Sequence, residues 1–180
     1  MDEIFEIFDR QGRLLGTALR SQAHRQGLWH KAVNVFLCDA ANRLWLQRRS
    51  LTKDVCGGAW DLTVAEHLKP GETYLAAAER GLAEELGVTG VTLERLGDVV
   101  ACELDIPGVK DYEHQQTFFG TYDGPFTLNP AEVDAVRALT LERLAAEVSQ
   151  SPNEFTPWIV RRIAELAQRL DAQASARLRR

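Results

Sequence analysis

Apolar residues along this chain follow two different periods, and the points where the period changes mark the elements. Ile4 to Phe8 and Leu14 to Leu19 flank Asp9-Arg10-Gln11-Gly12, a turn-forming run, so the chain is expected to open with a hairpin. A second strand pair is predicted at Lys31 to Cys38 and Arg43 to Arg49, around Asp39-Ala40-Ala41-Asn42. In its first member Val33, Val35 and Leu37 alternate with Ala32, Asn34, Phe36 and Cys38, a strand buried on both faces. Residues 50–71 hold no sustained period and contain Gly57-Gly58 and Pro70-Gly71. Short strand pieces are expected around Trp60 to Val64, within a connection long enough to suggest function.

Thr73 to Leu86 reads as a helix with Gly87 as its stop. On a wheel of about 100° per residue, Leu75, Leu82 and Leu86 share an arc expected to face the core. Glu84, Gly81 and Glu85 share another arc, with Arg80 at its edge. Val91 to Cys102 and His114 to Tyr122 are predicted strands separated by a polar connection, and Asp123-Gly124-Pro125 is a turn. Pro130 to Val133 is expected to start a helical turn, and Leu141 to Val148 a short helix. The last helix is predicted at Phe155 to Leu170, where Trp158, Ile159, Ile163, Leu166 and Leu170 recur at helical spacing. There is no repeat and no linker. One α/β domain over residues 1–170 follows, with 171–180 as a flexible tail.

Composition narrows the class. A chain of 180 residues, 45% hydrophobic with four Trp, seven Phe and three Tyr, can bury a sizeable core. A net charge of −5 argues against duplex nucleic acid as a partner, because phosphate backbones need a basic footprint. Cys38, Cys56 and Cys102 are odd in number and lack paired spacing, which speaks against a disulfide framework or a zinc site. The acidic start Met1-Asp2-Glu3 lacks the order of a signal peptide, and no apolar run approaches the ~20 residues that cross a bilayer. A soluble, cytoplasmic enzyme with no membrane partner is expected; its oligomeric state is open.

The chemistry concentrates on the Thr73–Leu86 helix. Adjacent Glu84 and Glu85 could be a solvated acidic face, but they come with Glu72 before the helix and Arg80 able to orient a carboxylate. Clustered oxygen donors suit a hard divalent cation that bridges to phosphate. The pattern resembles the Nudix signature: glycine, five residues, glutamate, seven residues, then arginine, glutamate, aliphatic, any, glutamate, glutamate, any, glycine, aliphatic. Glu72, Arg80, Leu82, Glu84, Glu85, Gly87 and Val88 stand in its register. The resemblance implies an α/β/α sandwich with a mixed β-sheet and metal-assisted attack of water on a diphosphate. Magnesium would be the cation, with manganese as a possible substitute. It also implies Glu84 and Glu85 as metal ligands, Arg80 as the residue that orients them, and Glu72 in or beside the metal shell. Two positions depart from the signature: its opening glycine is Glu66, and the glutamate after the arginine is Gly81. Either activity has been lost, leaving a non-catalytic nucleotide-binding module, or Glu66 returns the carboxylate that Gly81 lacks. In the second case Glu66 is a catalytic residue, and the reverse exchange of both positions should recover activity lost on altering Glu66.

Trp29-His30-Lys31-Ala32-Val33, Gln47-Arg48-Arg49-Ser50, Gly58-Ala59-Trp60-Asp61 and His67 look like the isopentenyl-diphosphate-isomerase branch of this superfamily. That branch needs a cysteine just before the glycine-histidine of its motif, and the matching residue here is Ala65. Glu113 resembles the second carboxylate that the branch carries on a later strand, completing the metal site. His30 and His67 are either ligands, as in the isomerases, or hydrogen-bonded structural histidines. Arg48, Arg49 and Lys53 could grip phosphate oxygens or form a solvated basic edge. Trp60 could stack on a base, or lie in the core with Trp29 and Trp45. The expectation is a hydrolase that cleaves the pyrophosphate linkage of a nucleoside di- or triphosphate, a small-molecule partner. An isomerase-like enzyme remains an alternative.

Overall fold

Asp9 makes the first turn. Its Oδ1 accepts from the backbone N–H of Gln11 and of Arg13 at 3.0 and 2.9 Å, and Gly12 takes φ 82°. This closes β1 (Ile4–Phe8) and β2 (Leu14–Leu19) into an antiparallel ribbon. The protein is described by a computed structural model covering residues 2–160 and 163. Directly after the ribbon comes an element that the apolar pattern did not announce: α1 (Arg20–Gln26), ended by Gly27 at φ 69°. Only Ala23 and His24 of this helix are buried, so it carries no apolar stripe.

Eight further strands form one mixed sheet: β3 (His30–Cys38), β4 (Leu44–Arg49), β5 (Trp60–Asp61), β6 (Val64–His67), β7 (Glu94–Arg95), β8 (Val100–Ile106), β9 (Val109–Thr121) and β10 (Val133–Leu139). Its main order is β10-β4-β3-β9-β7, with β5 on β4, β6 on β3 and β8 on β9. The β3–β9 pair is parallel, with His30 opposite Glu113, and the other pairs are antiparallel. Two expectations are corrected here. Residues 130–133 do not begin a helix; they lead into β10, which pairs with β4 from Val133 onward. The strand expected to start at His114 starts at Val109, because β8 and β9 form a tight hairpin with Ile106 opposite Val109 and Gly108 at φ 83°.

The two faces of the sheet carry different layers, giving the expected α/β/α sandwich. On one face α2 (Tyr74–Leu86) packs through Leu82 and Leu86 on Val33, Val35, Val64 and Phe118. Thr73 caps it by accepting from the N–H of Ala76, and Gly87 ends it at φ 66°. On the other face α3 (Leu141–Gln150), Phe155 and Ile159 pack on Phe36, Leu46, Leu62 and Phe119. Burying each such side chain stabilises the fold by ~1.5–3 kcal/mol.

Helix α2 is rotated relative to the wheel reading. Leu75 is 43% exposed, while Ala77, Ala78, Gly81 and Glu85 are buried with Leu82 and Leu86. Small residues at 77, 78 and 81 let the helix backbone come close to the sheet. The buried arc therefore centres near Gly81 and Glu85, and Glu84 points outward. The C-terminal segment is helical at residues 157–160 and 163, beginning at Pro157 rather than Phe155, whose backbone bridges Trp60. Leu166, Leu170 and the expected tail at 171–180 lie outside the described residues. The segment is tied down by Asp61, whose Oδ1 accepts from Thr156 Oγ1 at 3.0 Å and Trp158 Nε1 at 2.7 Å. Among the described residues no helix is long and apolar enough to cross a membrane.

Candidate active site

Strand β3 changes partner along its length. It pairs with β6 over residues 32–35 and with β4 only at Cys38. Beside this opening lies a cavity of about 750 Å³, lined from every layer of the fold. That volume is within the usual range for small-molecule sites, ~300–1,000 Å³.

One wall is a histidine–carboxylate cluster. The strand period of two puts His30 of β3, His67 of β6, and Asp111 and Glu113 of β9 on one face, and α1 adds His24. One ligand atom each from His24, His30, His67 and Asp111 lie within 4.8 Å of one another. Glu113 Oε1 is 3.2 Å from His67 Nε2 and 3.7 Å from His30 Nε2. His30 Nδ1 lies 2.9 Å from the carbonyl of Leu28, an arrangement that lets it donate there and leaves Nε2 for another partner. Phe5 of β1 covers the cluster, stacked on His30 with centroids 4.9 Å apart and tilted over His67 at 4.7 Å.

Burial, reinforced by the neighbouring histidines, pushes His24 and His67 down to about 3. At His30 burial also acts downward, but Asp111, Glu113 and the Leu28 carbonyl outweigh it and hold the group above its ordinary value. His24 Nε2, His30 Nε2 and Asp111 Oδ1 are buried with no hydrogen-bond partner among the described residues. Asp111 Oδ1 lies 3.5 Å from His30 Nε2 and 3.6 Å from His24 Nε2, longer than a good hydrogen bond, so the three atoms converge as the donors of a cation site would. Three imidazoles with carboxylates suit borderline divalent ions such as zinc better than an all-oxygen site would.

A second wall is organised by Arg80 of α2. Its Nε and Nη2 donate to the two Glu72 oxygens at 2.8 and 2.9 Å, and Nη2 also donates to the His67 carbonyl. Its Nη1 lies 2.9 Å from Glu66 Oε2 and 3.3 Å from Glu84 Oε2. The Arg80 hydrogen bonds hold Glu72 below the usual carboxylate range. Glu72, which also accepts from the N–H of Lys69, serves as a brace for Arg80. Glu85 is buried, accepts from Gln47 Nε2 at 2.9 Å, and is pushed up to about 8 by burial and then by the Glu66 charge.

Val64 and the stem of Glu66 pack where a side chain at position 81 would stand. A Cβ at 81 would lie 3.4 Å from Glu66 Cβ and 3.6 Å from its Cγ, but 2.7 Å from Val64 Cγ1. The helix and β6 meet so closely that position 81 has no room for a side chain. Burial raises the Glu66 carboxyl against the pull of Arg80.

The residues singled out in the sequence are thus sorted by the fold. Glu66, Glu84, Glu85, Arg80, Arg49, Lys53 and Glu113 line the cavity. Glu113 stands in the histidine cluster, not with the helix carboxylates. Arg48, 3.8 Å from Asp134, and Trp60, under the Arg137 guanidinium, lie on a separate shallow groove. Lys53 is paired with Glu132. His24, Asp111 and Phe5 had not been singled out. Asp111-Tyr112-Glu113 places two carboxylates on one strand face, a signal readable once the strand is traced back to Val109.

The family model of the NUDIX domain matches residues 28–159. The chain belongs to the NUDIX family. Its relatives include isopentenyl-diphosphate Delta-isomerases: one from Nocardia farcinica is 35% identical over 176 residues, covering 93% of this chain and 97% of the relative. One from Aromatoleum aromaticum is 32% identical over 159 residues, covering 88% and 84%. A crystal structure of the Deinococcus radiodurans protein DR0079 superposes with TM-score 0.76 at 23% identity, over 91% of this chain and 98% of that one. This NUDIX protein therefore sits beside the isomerase branch while carrying alanine at position 65. No cysteine among the described residues lines its cavity.

Proposed function

We propose that this NUDIX protein is a divalent-cation-dependent hydrolase that splits the pyrophosphate linkage of a nucleoside di- or triphosphate, with magnesium as the working ion and manganese able to replace it. The observation that carries this reading is the company kept by Ala65. It stands between Val64 and Glu66 on the cavity wall, on the strand face of His67, where carbon-directed proton transfer would need an acidic side chain. Water activation needs no thiol, and the carboxylates for it are present.

In this reading Glu84, Glu85 and Glu66 would hold one divalent ion, and Arg80, braced by Glu72, fixes their positions. His24, His30, His67, Asp111 and Glu113 would hold a second ion. Bound cations would lower the pKa of water and neutralise phosphate charge. Arg49 and Lys53 line the same cavity and would orient phosphate oxygens. Glu66 supplies the carboxylate that the signature carries at position 81, and as a buried group of raised pKa it is suited to take a proton from water.

The test is release of phosphate or pyrophosphate from a panel of nucleoside di- and triphosphates with magnesium or manganese. Glu66→Gln should lower kcat by ~10²–10⁴-fold while the protein stays folded. No release from any member of the panel would sink the hydrolase. The histidine cluster and the relatives named as isomerases favour a second reading, an enzyme acting on a prenyl diphosphate. Conversion of isopentenyl diphosphate to its isomer would establish it.

A further inference from the structure

Asn34 stands in the middle of β3, only 3% exposed, with Ala65 opposite on one side and Thr117 on the other. Its chain neighbours Val33, Val35, Phe36 and Leu37 are apolar core residues. Its Nδ2 nevertheless has no hydrogen-bond partner among the described residues, and the residue lines the cavity. A buried amide donor without a partner destabilises a fold unless something bound there accepts from it. Alanine at 65 offers the amide no polar partner on that side. Gln47 repeats the observation with opposite polarity: its Nε2 is spent on Glu85, and its buried Oε1, also on the cavity, has no partner among the described residues. The cavity thus offers one unfilled donor and one unfilled acceptor in addition to its charged groups. A hydrocarbon chain would leave both unfilled.

We infer that Asn34 is a specificity-determining residue whose amide donates a hydrogen bond to an oxygen on the nucleoside portion of the substrate, a base carbonyl or a sugar hydroxyl. The inference rests on the nucleotide reading above for its substrate class. Asn34 lies two residues along β3 from Ala32, the register partner of His67, which at ~3.3 Å per residue is about 6.6 Å from that end of the metal-binding cluster. A site built to hydrogen-bond a polar group discriminates strongly against ligands that lack it, because its own buried group is then left unpaired.

The experiment measures binding, by calorimetry with magnesium, of non-hydrolysable α,β-methylene diphosphates of uridine, cytidine, guanosine and adenosine. Inorganic pyrophosphate and isopentenyl diphosphate serve as controls. Asn34→Leu removes the donor at similar size, and Asn34→Asp keeps the shape while replacing donor by acceptor. Both should weaken the nucleoside analogues by about three- to tenfold and leave pyrophosphate unchanged. Asn34→Leu should not weaken isopentenyl diphosphate, nor lower the melting temperature of the unliganded protein. Equal losses for all four analogues assign the acceptor to the sugar; losses that spare adenosine, which has no base carbonyl, assign it to the base. An unchanged ratio of nucleoside to pyrophosphate affinity in both variants overturns the inference, as does an equal loss for pyrophosphate. Hydrolysis is read separately on unblocked nucleotides, so its absence would remove the hydrolase reading alone.

Discussion

Replacing Gly81 by alanine sets a helix-propensity gain against a steric cost, and the close approach of α2 to β6 decides between them. The new Cβ would lie 2.7 Å from Val64 Cγ1, whereas carbon atoms pack best at ~3.5–4.0 Å. Val64 is fully buried and β-branched, so its methyl cannot swing aside into another rotamer at little cost. Overpacking of this kind costs ~1–3 kcal/mol, and removing glycine from a helix interior returns up to ~1 kcal/mol. The expected net loss is about 1 kcal/mol, or a melting temperature lower by ~2–4 °C for a domain of this size. Urea unfolding of Gly81→Ala, Val64→Ala and the double variant, at unchanged m-value, gives the coupling directly. Val64→Ala alone should cost at least ~1.6 kcal/mol for two buried methyl-sized groups, and the double variant should lose ~1 kcal/mol less than the sum of the singles. A Gly81→Ala variant stabilised by the full propensity gain, or an additive cycle, would refute the reasoning. The same contact would meet the first carbon of a glutamate at 81. Exchanging both positions back, Glu66→Gly with Gly81→Glu, relieves only the 3.4 and 3.6 Å contacts, so recovery of activity is expected to require Val64→Ala as well.

The remaining predictions concern pH and the C-terminal anchor. His24 and His67 are held near 3 in the folded protein but titrate near 6.5 when unfolded, so the unfolded chain binds the extra protons. Their contribution to stability is present above pH 6.5 and is lost as pH falls toward 3; His30, raised, has the opposite sign and offsets part of it. Glu85, raised to about 8, also acts in the opposite sense over this range, so the difference between two proteins is the test: between pH 6.5 and 4.5 metal-free His67→Asn should lose less melting temperature than the parent, and an unaltered slope would count against the buried neutral histidine. Asp61 is fully buried, accepts from Leu62, Thr156 and Trp158, and lies 3.3 Å from Arg49 Nη1. Asp61→Ala should cost ~3 kcal/mol in urea unfolding because it takes the carboxylate from the half-buried Arg49 guanidinium and strands three donors; a loss below ~1 kcal/mol would contradict the anchor.

Much of the architecture could be read locally. Strand period in β3 and β4, the hairpin turn at Asp9 and Gly12, and the helix bounded by Thr73 and Gly87 are short-range patterns, and each reappears in the fold. The carboxylates of α2 and their arginine were also legible, because one helix turn brings residues 80 and 84 together whatever surrounds them. Helix α1 and the early start of β9 were not legible, since neither is driven by its own apolar period: α1 buries only Ala23 and His24, and β9 is extended backward by pairing with β8. For that reason His24 and Asp111 could not be placed beside His30 and His67. The wheel placed the core arc on Leu75, Leu82 and Leu86, and only the packing turned it toward Gly81 and Glu85, which is why Glu85 is buried while Glu84 is exposed. Local sequence determined which side chains could do chemistry and how neighbours on one element are spaced. Only the packing of α1, β3, β6 and β9 decided that three histidines and two carboxylates from distant positions form one cluster, because that juxtaposition is set by strand register and by how closely the layers approach.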